Sequence, residues 1–140
     1  MKKTSLTWCT LACLAILFAG CAGQKLAMVE AGVKPLEVAP GDTALISVQV
    51  IDPENIVDSV TVTVDEYPEI TLDLYDDGTE GDVTANDGVY SIEFEVPFEA
   101  PPGEFHWTFN AYDGDGEELK VETEAGLVPL TAKGTITVTY

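Results

Sequence analysis

From residue 34 onward this 140-residue chain predicts an all-β fold, a seven-stranded β-sandwich. Three observations carry that expectation. Apolar residues recur with a period of two in successive short runs, which is the pattern of half-buried strands. Clusters of Gly, Pro, Asp and Asn separate those runs at intervals of about 8–12 residues, as sandwiches require. No stretch of useful length shows the 3.6-residue period of a helix. One domain is the expectation at this length.

The strands follow in order. Leu36 and Val38 open the set and Pro40-Gly41-Asp42 turns the chain. Ile46, Val48 and Val50 alternate with Ser47 and Gln49, and Asp52-Pro53-Glu54-Asn55 ends that run. Val60, Val62 and Val64 alternate with Ser59, Thr61 and Thr63 up to a turn over Asp65–Pro68. Ile70, Leu72 and Leu74 form the fourth strand. In the fifth, Tyr90, Ile92, Phe94 and Val96 face inward, with Ser91, Glu93 and Glu95 outward. After the corner Pro97–Gly103, Phe105, Trp107, Phe109 and Ala111 make the strongest inward row. Asp113-Gly114-Asp115-Gly116 turns the chain, Leu119 and Val121 continue briefly, and Ala125–Lys133 reads as irregular. Ile136, Val138 and Tyr140 supply the last strand.

Residues 1–20 read as a secretory signal. Met1-Lys2-Lys3 is a positive n-region, Leu6–Phe18 is apolar and free of acids, and Ala19-Gly20 puts small residues before Cys21. The apolar run is too short for a comfortable membrane span. Leu17-Phe18-Ala19-Gly20-Cys21 resembles a bacterial lipobox, with Phe18 where Leu is usual. The resemblance implies lipidation of Cys21, a tether over 21–33 and a mature domain over 34–140. With Ala22 after the cysteine, it also implies the cell envelope, at the outer membrane in a Gram-negative host. Cys9 and Cys13 leave with the signal, so no intramolecular disulfide and no cysteine metal site is expected.

Charge narrows the partners. The formal net charge is −19 at pH 7, with 25 acidic against 6 basic residues, and Lys2 and Lys3 belong to the signal. Such a surface repels nucleic acid and bare anionic lipid and attracts cations, and it also serves plain solubility.

The acid is densest in Tyr75–Tyr90, YDDGTEGDVTANDGVY, a span of 16 residues with four aspartates, one glutamate and three glycines. Asp76-Asp77-Gly78, Gly81-Asp82 and Asp87-Gly88-x-Tyr90 give the pattern D-D-G-x-x-G-D-x-x-x-x-D-G-x-Y. That pattern resembles bacterial immunoglobulin-like domains, including those grouped as choice-of-anchor X. The resemblance implies a disulfide-free immunoglobulin/fibronectin-like sandwich and a mode of anchoring, but no reaction. In such a sandwich Asp52–Asn55, Asp76–Gly88 and Asp113–Glu118 lie at one end and the proline-led corners at the other.

Two chemistries compete for this loop. Carboxylates interspersed with glycines suit calcium, which takes 6–8 oxygens from side chains and curled backbone. Asp76, Asp77, Asp82 and Asp87 are the candidate ligands, with Asn86 as a neutral one. Alternatively the same aspartates bond their own loop amides as Asx-turns. Asp113 and Asp115 begin like a calcium loop, but Glu118 stands where the sharp-turn glycine belongs, so a hairpin turn competes there.

Catalysis has little support. His106 is the only histidine and alternation points it outward; no spacing converges it with Ser47, Ser59 or Ser91 as a triad. Arginine is absent, which removes the usual clamp for anionic substrates. A carboxylate pair of glycosidase type is compatible with so acidic a chain, but no cleft-building insertion accompanies it. The leading reading is a non-enzymatic, lipid-anchored binding or structural module. The second is an accessory subunit that docks on an envelope partner through a sheet edge. A small hydrolase is the third.

Overall fold

A computed structural model describes residues 24–140; the expected signal and Cys21 lie outside them. The described residues form ten strands and no helix, with a three-stranded sheet facing a five-stranded one. In the smaller sheet, β1 (Ala27–Lys34) and β6 (Val89–Glu95) flank β3 (Thr43–Ile51), all antiparallel. The larger runs in the order β2 (Glu37–Val38), β10 (Thr131–Val138), β7 (Gly103–Tyr112), β4 (Ser59–Val64) and β5 (Tyr67–Leu74). Only the β2–β10 pair is parallel. A hairpin of β8 (Lys120–Thr123) and β9 (Gly126–Pro129) interrupts the connection from β7 to β10.

The alternation read from the sequence explains the core. Ala44, Ile46, Val48 and Val50 of β3, Val60, Val62 and Val64 of β4, and Trp107, Phe109 and Ala111 of β7 are all buried. They fill the space between the sheets, closed by Val33, Leu74, Ile136 and Val138. Phe94 packs T-shaped on Trp107 with ring centroids 5.5 Å apart. Trp107 Nε1–H is buried without a hydrogen-bond partner, a deficit of about 1–3 kcal/mol for a neutral donor.

Three strands exceed the expected seven. The segment expected as tether, 21–33, is a strand from Ala27, so the folded unit begins before residue 34. Its period was hidden by a bulge: the register with β3 shifts between Val29 and Gly32, and Glu30 has φ 51°. The core-facing set therefore jumps from Leu26 and Met28 to Ala31 and Val33. The other two are β8, where only a brief continuation over Leu119 and Val121 was expected, and β9, within the stretch from Ala125 expected to be irregular. Both are largely exposed on both faces, so no burial imposes an apolar alternation.

The two edges next to each other in the sandwich are β5 and β6. A single bridge, Tyr75 to Ser91, joins them at the end where the Asp76–Gly88 loop begins. Ser91, expected to be solvated, is 3% exposed because Tyr75 and that loop cover it.

Candidate functional site

The acidic loop does not stand away from the sandwich. It folds back along the free edge of β6. Tyr75 and Ser91 exchange N–H to O bonds of 2.9 Å, and Glu93 N–H donates to Glu80 O at 3.0 Å. Further along, Val50 N–H donates to Gly88 O at 2.8 Å, which ties the loop's exit to β3. The backbone reaches β6 through two consecutive left-handed residues, Glu80 (φ 54°) and Gly81 (φ 92°). A Cβ on Gly81 would stand 2.7 Å from Leu45 Cδ1 and 2.8 Å from Glu93 Cγ. Glycine is required there by both angle and space.

Inside this wrap the aspartates divide. Oxygens of Asp76, Asp82 and Asp87 lie within 4.8 Å of one another, and Asp82 is only 6% exposed. Asp76 accepts Asp87 N–H at 3.1 Å and Gly88 N–H at 3.0 Å on its two oxygens. Asp82 accepts Gly78 N–H at 2.7 Å, and Asp87 accepts Val89 N–H at 2.9 Å. Asp77 stands apart: its carboxylate accepts both the amide and the hydroxyl of Thr79. Those bonds, the hydroxyl first, hold its pKa below 3.8. Asn86 takes φ 60°, a backbone region asparagine tolerates, and its N–H donates to Asp76 O at 2.9 Å. Asp113 accepts Asp115 N–H at 2.9 Å and Glu117 N–H at 3.0 Å, the hairpin-turn arrangement. Asp113 and Asp115 join no cluster of three acidic or metal-ligating side chains among the described residues.

The amide-capping chemistry anticipated for the loop is present, and the donor set leaves room for the other. The loop amides are capped by carboxylates, yet an ionised carboxylate offers about four lone-pair sites and these amides occupy only some of them. Calcium holds oxygens at 2.3–2.6 Å, so ligands on one ion stand no more than about 5 Å apart. The three carboxylates meet that limit. Residues Asp76, Asp82 and Asp87 therefore fit a hard divalent cation, which would supply charge neutralisation and no redox chemistry.

Electrostatics point the same way. Burial raises the Asp76 carboxyl above 3.8 and the Asp82 charge adds to it, against the lowering effect of the Gly88 and Asp87 amides. A raised carboxyl favours the folded state only below pH 3.8, and that contribution is lost as pH rises through the folded value. At neutral pH the ionised Asp76 is a burden on the fold. Tyr90 is also pushed up, first by burial and then by Asp76, Asp52 and Asp58. Charges from the first two of the three acidic connections therefore both reach Tyr90. Among the described residues no salt bridge reaches this cluster.

The histidine has partners the sequence reading overlooked. His106, half-exposed on the outer face of β7, meets Glu66 at 2.6 Å and Glu104 at 3.1 Å. Beside it Lys133 meets Asp65 at 3.2 Å. Glu104 was legible as the residue two positions along the same face; Glu66 comes from the turn and carries no period. Ser47 and Ser91 are strand partners on the outer face of the other sheet. The structure does not bring them to His106.

Among protein-family models none matches the chain, and no curated protein matches it either.

Two outcomes are expected. Gly81→Ala should destabilise the protein by about 1–3 kcal/mol, the usual cost of a left-handed non-glycine residue, read by chemical denaturation; unchanged stability would contradict the wrap. The second concerns pH. The Glu66 hydrogen bond, foremost, raises His106 above 6.5, while His106 lowers Glu66 below 4.5. The histidine's contribution is full below pH 6.5 and lost as pH rises through its raised folded value. That of Glu66 is lost as pH falls through its lowered value. The difference in melting temperature between the wild type and His106→Ala should be greatest between pH 4.5 and 6.5 and shrink above. A difference that grows with rising pH would contradict the pairing.

Proposed function

We propose that the chain is a lipid-anchored module of the bacterial cell envelope, an immunoglobulin-like sandwich that binds or scaffolds and does not catalyse, with its acidic loop stabilised by calcium. The observation that carries the calcium reading is the convergence of Asp76, Asp82 and Asp87 within 4.8 Å on a loop that closes a sheet edge. Neutralising that cluster firms up the edge, so the ion acts on stability and on the shape presented at that end.

The strand order supports the immunoglobulin-like part. The smaller sheet β1-β3-β6 and the run β10-β7-β4 of the larger match the A-B-E and G-F-C groups of such sandwiches, with β5 on β4 where D would pair with E (β6). Anchoring rests on the Lys-Lys start and the Leu17–Cys21 pattern. Several acyl chains, at about 0.8 kcal/mol per buried methylene, would hold the protein on the membrane effectively permanently. The accessory-subunit reading is weakened at two edges. The acidic loop covers β6, and β5 carries Pro68, Glu69 and Asp73, residues that discourage strand addition.

Extracellular calcium modules have dissociation constants of about 10⁻⁴–10⁻³ M, and tenfold excess over that constant adds about 1.4 kcal/mol of stability. For a domain near 100 residues the melting temperature should rise by roughly 4–8 °C. Magnesium at equal ionic strength, which demands a tighter octahedral shell, should do clearly less. Asp82→Asn and Asp87→Asn should each reduce the calcium shift. A calcium shift no larger than that of magnesium, or one that survives both substitutions, would leave the amide-capping role alone. For the anchor, Cys21→Ser should release the protein from membranes or leave it uncleaved. Normal processing with unchanged membrane retention would contradict lipidation.

A further inference from the structure

Opposite charges meet without pairing where the described chain begins. Gln24–Leu26, the connection after Ile51 and the first three residues of β8 enclose a groove of about 530 Å³. That volume lies within the range of small-molecule sites, about 300–1,000 Å³. Leu26, Ile56 and Val121 give it apolar lining, and Lys25 and Lys120 line it together with Asp52, Glu54 and Glu122. Among the described residues neither lysine forms a salt bridge, in a chain with 25 acids. Asp52 is already engaged: its oxygens accept Ile56 N–H at 3.0 Å and Val57 N–H at 2.8 Å. Glu54 and Glu122 join no salt bridge among the described residues.

Two signs of charge on one groove select a ligand that carries both. A plain anion would meet three carboxylates against two ammonium groups, and a plain cation would leave both lysines without a partner. A zwitterion answers each sign. Its cationic end is a primary ammonium, because carboxylates accept N–H donors. Quaternary ammonium groups are held by aromatic cages, and no aromatic residue lines the groove. The anionic end suits a phosphodiester, which lysines meet as point charges. Position narrows the source. Gln24 follows Cys21 by three positions, at most about 11 Å of extended chain. A lipidated Cys21 therefore sets the groove at the headgroup layer of the membrane. The net charge of −19 opposes anionic headgroups there and tolerates zwitterionic ones.

We propose that this groove binds the ethanolamine phosphodiester headgroup of a membrane phospholipid, with Lys25 and Lys120 on the phosphate and Glu54 and Glu122 on the ammonium. The membrane source rests on the anchored reading of Cys21; the headgroup site itself does not. Occupancy holds this part of the sandwich against the bilayer, so that the module is oriented as well as attached.

The test uses the full chain, ¹⁵N-labelled and solubilised in micelles of a neutral detergent, titrated with glycerophosphoethanolamine. The amide resonances of Lys25, Glu54 and Lys120–Glu122 should move and saturate, while those of β4 stay in place. Glycerophosphocholine and glycerophosphoglycerol should need clearly higher concentrations. Lys120→Ala and Glu122→Gln, both at exposed positions, should each raise the half-saturating concentration by about two- to fivefold. The signs separate the alternatives, since Glu122→Gln strengthens a site for anions and Lys120→Ala strengthens a site for cations. Either strengthening, equal binding of the choline or glycerol headgroup, or movement without saturation would overturn the proposal. Micelles doped with phosphatidylethanolamine should reproduce the displacements, and micelles doped with phosphatidylcholine should not. A response to the free headgroup alone would overturn the membrane source. None of these readouts depends on acylation of Cys21, which the membrane retention of Cys21→Ser tests separately.

Discussion

An open sandwich has edges, and the structure depends on how the β6 edge is closed. Strand β6 borders the smaller sheet, and its outward amides and carbonyls would otherwise template pairing with another chain. The chain covers them with the stretch that carries most like charge. Tyr75 and Glu80 supply the partners for Ser91 and Glu93, and the aspartates between them hold the loop's own amides. The same carboxylates that organise the loop repel one another. Edge closure and charge density are therefore one problem, and the packing of Asp76, Asp82 and Asp87 is its solution or its weak point according to what neutralises them.

The two ends of the molecule consequently differ in physics. At one end the sheets are tied by backbone bonds and polar caps around buried Asp82, with Asp52 capping Ile56 and Val57 in the neighbouring connection. At the other, proline-led corners leave apolar walls parted around Trp107. The charged end concentrates carboxylates without a basic partner among the described residues, whereas near the other end the titrating pair the structure perturbs is His106 with Glu66 on the outer face.

Much of this was legible in the sequence wherever burial forces a period. Strands β3, β4 and β7 face a core on one side only, so their valines, isoleucines and aromatics alternate without interruption. Strand β1 was not legible, because the bulge at Glu30 transfers the inward set from even to odd positions. The β8–β9 hairpin left no period because it buries little. Within the acidic loop the residue types marked a dense set of carboxylates, but composition does not say which of them converge. Asp77 differs from Asp76 by one position and serves only Thr79, since the turn at Gly78 directs the two side chains to different partners. Glu66 reaches His106 across a hairpin end, a contact set by register and invisible to spacing.

Native-state hydrogen exchange of the Ser91 and Glu93 amides tests the central claim most directly. Both point away from β3 and owe their protection to Tyr75 and Glu80 alone. If the acidic loop is a built closure of the β6 edge, these amides should exchange only through large-scale opening, with protection close to that of the core strands. Exchange of Ser91 and Glu93 at rates near those of an unprotected edge, while the amides of β3 stay protected, would contradict the account.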